Sequence, residues 1–248
     1  MISVIGSTGL VGSHINNLFP VDKNYNSKNI TDFKKFEHDL VFCCAPASVK
    51  WLANKNPAQD LESVSKLISN IDGAKVKKIY LFSTVDMYGS TLGQNEDSKI
   101  DIKQTSAYGR NRYLLETYLC ENFDTTTIRL PALFGEGLKK NVIFDLNNNN
   151  QIEKISLNTT FQWFYLPRLA DIVSFATDRD IRVLNVATEP IKTVKIVEKH
   201  FPELKNRCLG QYNVRYDFKT IYNETGYLYD KETVMNDLEE YLNETNSN

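Results

Sequence analysis

Apolar positions along the chain switch between the periods of strand and helix. Ile2-Ser-Val-Ile5 reads as a short buried strand, and Ser13 to Phe19 reads as a helix after it. Val21 to Asn29 holds a second strand, poor by pattern and rich in Asn and Lys. The apolar run Asp39 to Pro46 is the next strand, closed by its proline. Asn56-Pro57-Ala-Gln-Asp60 opens a helix on which Leu61, Val64, Leu67, Ile68 and Ile71 share one face, and Asp72-Gly73 ends it. Lys77 to Ser83 is a strand, Thr91 to Thr105 a polar loop, and Ser106 to Glu121 a helix capped by Ser106. Thr125 to Leu130 is a strand that Pro131 stops.

The later chain is less regular. Val142 to Asn150 predicts a helix giving way to a turn, and Phe161 to Leu166 a short strand. Pro167 starts a helix from its first turn, Ile181 to Val186 is a strand, and Thr193 begins another helix. Glu232 to Leu242 is the last helix, with Asn243 to Asn248 expected to fray. Alternating strands and helices predict an α/β fold, a doubly wound parallel sheet with helices on both faces. Ligands of such sheets sit beyond the carboxyl ends of the strands. The turn after Ile5, Ala45-Pro46, Ser83-Thr84 and Pro131 all fall at such ends.

That first turn is Gly6-Ser-Thr8-Gly9-Leu10-Val11-Gly12. Strand, glycine turn and helix form the context of a dinucleotide fingerprint, here spaced G-x-x-G-x-x-G. Gly6 permits the tight turn, Gly9 bare backbone beside a pyrophosphate, and Gly12 close packing of helix on strand. The helix N-terminus then offers N–H groups to the phosphates. Gly6, Thr8, Gly9, Leu10 and Val11 are the cofactor residues of this reading; a glycine-rich turn with no ligand is the alternative. At the end of the second strand, an acid would accept a ribose hydroxyl and select NAD. Ser27, Lys28 and Asn29 stand there instead, with no carboxylate until Asp32, which favours NADP(H) over NAD(H). A solvated polar turn explains the same residues.

Composition excludes several classes. A chain of 248 residues, 42% hydrophobic and 11% aromatic, is long enough to bury a core. A net charge of −2 gives no footprint for nucleic acid. No apolar run approaches the ~18 residues of a membrane span, and strand one leaves no room for a signal peptide, so a cytoplasmic protein is expected. Cys43, Cys44, Cys120 and Cys208 lack metal-type spacing and read as buried free thiols. His14, His38 and His200 read as structural.

Three residues could carry chemistry. Tyr108 and Arg112 are i and i+4 on one helix face. A phenol titrates near pH 10, and a fixed cation lowers that value. The Thr84 hydroxyl could bind the same substrate oxygen. The alternatives are a packed tyrosine and a surface ion pair between Arg112 and Glu116.

Together, Gly6-x-x-Gly9-x-x-Gly12, Ser83-Thr84-Val-Asp-Met-Tyr-Gly89, Tyr108 and Arg129-Leu-Pro-Ala-Leu-Phe-Gly135 resemble the extended short-chain dehydrogenase/reductases, the NAD(P)-dependent sugar epimerase, dehydratase and reductase group. Phe161 to Asp171 resembles the family's later aromatic strand and helix. The resemblance implies a Rossmann domain over residues 1–135, and a small substrate lobe over residues 136–248 that partly completes the sheet. It implies that Thr84, Tyr108 and Arg112 are catalytic, and that Ala45, Pro46, Ser83, Pro131 and Leu133 line the dinucleotide.

Three departures refine this picture. The family's Tyr-x-x-x-Lys reads Tyr108-Gly-Arg-Asn-Arg112, and arginine keeps the charge but cannot shuttle a proton. Val85-Asp86 replaces the Asp-Glu of the 4,6-dehydratases, which disfavours a dehydratase. The chain is short for the group, which resembles the reductases. Lys139, Lys140 and Asn141 at one helix start, and Arg168 at another, suggest an anion such as a sugar-nucleotide diphosphate. Gln162 and Asp86 are candidate sugar contacts. The expected function is an NADP(H)-dependent oxidoreductase acting on a nucleotide-activated sugar, most simply a keto-sugar reductase. An epimerase with retained NAD and a non-catalytic NADP-binding sensor are the alternatives. The expected partner is this small molecule, without nucleic acid or membrane, and a homodimer is admitted.

Overall fold

The computed structural model describes residues 1–46 and 49–246. In chain order the elements are β1 (Ile2–Ile5), α1 (Leu10–Leu18), β2 (Lys23–Tyr25), β3 (Glu37–Cys43), α2 (Lys50–Lys55), α3 (Pro57–Ile71), β4 (Lys75–Thr84), α4 (Ala107–Asn122) and β5 (Thr125–Leu130). There follow β6 (Ala132–Phe134), α5 (Val142–Asn147), β7 (Thr160–Phe161), β8 (Trp163–Tyr165), α6 (Leu169–Asp178), β9 (Val183–Asn185), β10 (Ile191–Lys192), α7 (Thr193–His200) and α8 (Lys231–Asn246). The chain forms two compact units: Met1–Gly89, Ser98–Leu130 and Pro167–Asn185 make the first, and Ser90–Asp97, Pro131–Leu166 and Val186–Asn248 the second.

The first unit holds a parallel six-stranded sheet in the order β2-β1-β3-β4-β5-β9, a Rossmann-like α/β arrangement. The chain leaves β1 for β2 on one side and later returns to pair β3 on the other. That reversal is the switch point, where open α/β sheets bind ligands. Central strands covered on both faces lose the alternation of half-exposed ones. β4 begins with exposed Lys75 and Lys77 and ends in six consecutive buried residues. β5 is buried throughout despite three threonines, because their hydroxyls find partners. Thr125 donates to the Leu119 carbonyl, Thr126 donates to that of Ile181, and Thr127 meets the Cys120 sulfur. One core layer joins Val64, Leu67 and Ile71 of α3 with Leu115 and Leu119 of α4 over Ile5, Val41, Ile79 and Leu81 of the sheet.

The second unit is built from small pieces. β6 pairs parallel with β8, and β7 pairs antiparallel with β10. The expected strand Phe161–Leu166 is thus two strands that part at Gln162. The Gln162 side chain explains the break: its amide nitrogen donates to the carbonyls of Thr188 and Phe218, and its oxygen accepts the Phe218 N–H. Phe134, Trp163, Phe164 and Phe218 form the buried aromatic centre.

Other expectations need correcting. Helix α2 and a 3₁₀ turn at Ile30–Lys35 were not legible, being too short for a periodic signal. Pro131 ends β5, but the chain resumes as β6 one residue later. The last helix runs to Asn246 rather than fraying from Asn243; positions 247 and 248 lie outside the described residues. The thiols are free, yet Cys120 is exposed and Cys44 only half-buried. His38 is structural: its ring stacks on Phe33 and bonds the Ser3 hydroxyl and the Phe33 carbonyl. Among the described residues no helix is long and apolar enough to cross a membrane.

Candidate active site

At the carboxyl end of β1 the chain turns sharply into α1. Gly6 has φ +84°, and a Cβ there would meet the Cys44 carbonyl at 2.9 Å. A Cβ on Gly12 would lie 2.2 Å from the Gly6 carbonyl oxygen, so both glycines are required by the fold itself. Gly9 differs. It caps α1 from an ordinary extended conformation, and a Cβ there would meet only the Gly6 oxygen, at 3.3 Å. Thr8 and Gly9 are exposed at the tip, while Leu10 and Val11 are half-buried. No side chain caps the helix, and no acid stands in its first turn. A bare helix N-terminus without a carboxylate fits an anionic group such as a pyrophosphate. Nearby in the fold, the Ser83 hydroxyl, at the end of β4, is buried with no partner among protein atoms, as are Asn16 Oδ1 and the Tyr25 hydroxyl. Ala45 and Pro46, joined by a cis peptide bond, are half-buried just beyond β3.

After β2 the polar turn is self-stapled. Asn29 donates its amide to the Asn24 carbonyl and accepts the Asn26 N–H. Ser27 and Lys28 are left exposed.

The Thr84 and Tyr108 hydroxyls come together in the first unit. β4 ends at Thr84, whose Oγ1 accepts the Asp86 N–H at 3.1 Å and starts a 3₁₀ turn over Val85–Met87. Ser106 caps α4 by accepting the Gly109 N–H, and Asn54 of α2 accepts the Tyr108 N–H at 3.0 Å. Gly109 lets α4 lie directly on the 3₁₀ turn, for a Cβ would stand 2.2 Å from the Asp86 carbonyl oxygen. This approach brings Tyr108, the residue before Gly109, close to the turn that Thr84 starts. Tyr108 is 6% exposed and Thr84 8%.

The buried stripe of α4 carries Tyr108, Asn111, Arg112, Leu115, Glu116 and Leu119. Charges on such a stripe require partners. Arg112 does not pair with Glu116 at the surface. Its fork binds both oxygens of Asp60, in the first turn of α3, at 2.9 Å each. Asn111 donates to the same carboxylate at 2.8 Å. The guanidinium carbon sits 4.5 Å from the centre of the Tyr108 ring. Glu116 instead pairs with Arg129 of β5, which also reaches the Tyr88 hydroxyl, itself bonded to Asn185.

Burial pushes the Tyr108 phenol above its ordinary value. Arg112 opposes this, Asp86 adds to it, and Lys50 and the Thr84 hydrogen bond oppose it more weakly. The expectation that Arg112 sets a lowered value therefore fails in sum, because desolvation outweighs the cation. For Asp60, burial raises the carboxyl, but the Arg112 and Asn111 hydrogen bonds prevail and hold it below the ordinary range.

Lys50, Asn54, Asp60 and Gly109 were missed as site residues. Asp60 lies 52 positions from Arg112, where no local periodicity connects them. Gly109 did carry a signal, since a glycine inside a helix needs a packing reason. In the second unit, Asn141 caps α5 by accepting the Phe144 N–H and donates to the Leu133 carbonyl in β6. Lys139 and Lys140 precede it in the turn after Gly137. Gln162 is spent on three backbone hydrogen bonds. Pro131 and Leu133 are half-buried. Arg168, in the first unit, approaches Asp171 at 4.0 Å.

Solved structures match the whole chain in fold. A dTDP-4-dehydrorhamnose reductase from Clostridium acetobutylicum superposes with TM-score 0.73 at 14% identity, covering 99% of each chain. A UDP-glucose 4-epimerase from Bifidobacterium longum, in complex with NAD⁺ and UDP, gives 0.71 at 16% identity, covering 97% of this chain and 96% of its own. An NAD-dependent NDP-hexosamine 5,6-dehydratase of tunicamycin biosynthesis gives 0.69 at 14%, covering 100% and 98%. No curated protein sequence matches this one. The sequence model described as the NAD dependent epimerase/dehydratase family matches residues 2–187, three quarters of the chain and all of the elements from β1 to β9. The chain therefore belongs to the NAD dependent epimerase/dehydratase family.

Proposed function

We propose that the protein is an NADP(H)-dependent oxidoreductase that reduces the keto group of a nucleotide-activated sugar. The packing of α4 at Gly109 on the turn that begins at Thr84, which places Tyr108 beside that turn, carries this reading. The glycine turn would hold a nicotinamide dinucleotide, which would supply hydride to a carbonyl carbon. Tyr108 donates a proton to the carbonyl oxygen, and Thr84 holds that oxygen. A phenol that burial keeps protonated suits donation, the direction of a reductase. Arg112, fixed by Asp60, orients the phenol ring from its face. Asp86 orients a sugar hydroxyl.

Gly6, Thr8, Gly9, Leu10 and Val11 would hold the pyrophosphate, and Ala45, Pro46 and Ser83 of the same unit more of the dinucleotide; Pro131 and Leu133, in the second unit, are separate candidate contacts. Ser27 and Lys28 would meet a 2′-phosphate, whereas Asn29 is reassigned to bracing their turn. Lys139 and Lys140 of the second unit, and separately Arg168 of the first, are proposed cations for a nucleotide diphosphate. Asn141 and Gln162 pass from substrate contacts to supports of the local backbone. A second copy of the chain would cover Trp51, Leu61 and Leu114, exposed on the mutually packed helices α2, α3 and α4.

Gly9→Val separates the cofactor reading from folding. Gly9 has ordinary backbone angles and little around it, so the variant should melt within a few degrees of the parent. Its dinucleotide affinity should fall by at least about tenfold, ~1.4 kcal/mol. Equal affinity by fluorescence titration would remove the glycine turn from the site.

The activity test incubates the full chain with dTDP-4-dehydrorhamnose, and separately with UDP-glucose, in the presence of NADPH or NADH. Stoichiometric oxidation of NADPH, faster than of NADH, is the expected result. Interconversion of UDP-sugars without net cofactor consumption would instead identify an epimerase, the activity named for the Bifidobacterium neighbour. A preference for NADH would show that Ser27 and Lys28 form only a solvated turn.

A further inference from the structure

We propose that Lys50 is the proton donor that recharges Tyr108 after each turnover. The inference rests on reading Tyr108 as the acid. Arg112 occupies the family's lysine position, yet a guanidinium does not give up a proton, and this one is also locked between both Asp60 oxygens. Another group must link the phenol to solvent. Lys50, at the start of α2, is that group. Its Nζ lies 2.6 Å from Asp86 Oδ1, and its side chain is 43% exposed while that of Asp86 is 20% exposed. The ammonium thus stands where buried site and water meet. From it the contacts run inward to the turn on which α4 packs beside Tyr108. Asp86 carries the ammonium on its carboxylate and donates its own N–H to Thr84 Oγ1, and its backbone carbonyl is where α4 packs at Gly109, the residue after Tyr108. Charged groups acting on the phenol are Arg112 from its own helix and Asp86 and Lys50 from the facing turn and helix. Only Lys50 can exchange a proton with water at the required strength, because lysine and tyrosine have similar reference affinities for a proton.

The step balances. The Tyr108 O–H bond breaks as its proton goes to the substrate oxygen, whose carbon has received hydride from the reduced dinucleotide. The phenolate then takes a proton from Lys50: one N–H bond breaks and the phenolic O–H forms again. The neutral amine is reprotonated from solvent. Per turnover, one hydride and one solvent proton enter the product. The flexible four-carbon stem lets the ammonium leave the Asp86 carboxylate for the phenol and return.

The test compares the parent chain with Lys50→Ala and Lys50→Arg by turnover and by NMR titration of ¹³Cζ-labelled tyrosine, with Tyr108→Phe assigning the signal. Lys50→Ala should lose about 100-fold in turnover, the lower range of general acid–base catalysis. Its Tyr108 titration should move upward, since a cation is gone and Asp86 remains. Added methylamine should restore part of the rate. Lys50→Arg should keep the Tyr108 titration near that of the parent, yet lose at least about tenfold in turnover, since it retains charge without a releasable proton. Parent-like turnover of Lys50→Arg overturns the proposal, as does an unmoved Tyr108 titration in Lys50→Ala. If the parent reduces no nucleotide sugar, the reductase reading falls. The titration then decides for Lys50 alone: a shift supports its coupling to the phenol, and no shift overturns it.

Discussion

Replacing Tyr108 by Phe should reduce turnover by about 10²–10⁴-fold, the usual contribution of a general acid. The ring stays to fill its site, 6% exposed under the Arg112 guanidinium, and the hydroxyl alone is lost. Dinucleotide affinity and melting temperature should therefore stay close to those of the parent. Rate, affinity and melting are measured on the same preparation. A loss of rate with a large loss of stability would mean that the phenol serves packing. A normal rate would remove Tyr108 from the chemistry and leave the non-catalytic binding protein as the better account.

Asp60→Ala should produce the larger structural effect, a loss of about 3–5 kcal/mol, because it strands a buried guanidinium. The side chains of Arg112 and Asp60 are only 6% and 11% exposed, and the fork is bidentate. A chain of this size loses roughly 2–4 °C of melting temperature per kcal/mol, so a drop near 10 °C is expected. Removing both charges, as Asp60→Leu with Arg112→Leu, should recover much of that loss, since apolar replacements of buried pairs are often neutral. The pair also makes stability depend on pH. The folded Asp60 carboxyl lies below its unfolded value. Its stabilisation is thus fully present above the unfolded value of about 4, and disappears as pH falls through the folded one. Denaturant titrations at descending pH should show this component in the parent and not in Asp60→Ala. Equal stability of parent and variant at neutral pH would mean that water, not the protein, balances Arg112.

Local features of the sequence proved reliable. Gly6 and Gly12 announce a tight βα turn because only glycine tolerates the approach of the Cys44 and Gly6 carbonyls. Ser106 announces the start of α4 by its side-chain oxygen, and it accepts the Gly109 N–H as expected. The strand–helix alternation was enough for a parallel sheet, since short connections with right-handed crossovers leave few alternatives. Segments below one or two turns, such as α2 and Ile30–Lys35, were hidden because periodicity needs length to register.

Partnerships across the chain were decided elsewhere. Arg112 has Glu116 one turn away, yet it pairs with Asp60, and Glu116 pairs with Arg129. Position along a helix tells which face a side chain takes, but not which neighbouring element covers that face. Gln162 shows the same limit in the second unit, where three backbone groups from distant segments claim its amide. The sequence by itself determined the longer elements, their order and the glycine turn, because these depend on backbone sterics and on interactions within a few residues. Only the tertiary structure decided that α4 packs beside the turn after Thr84, that Arg112 is neutralised by Asp60 and that Lys50 stands beside Asp86. Those contacts join residues far apart in the chain, and desolvation, which raises the phenol against the pull of the nearby cations, exists only once the core has closed around it.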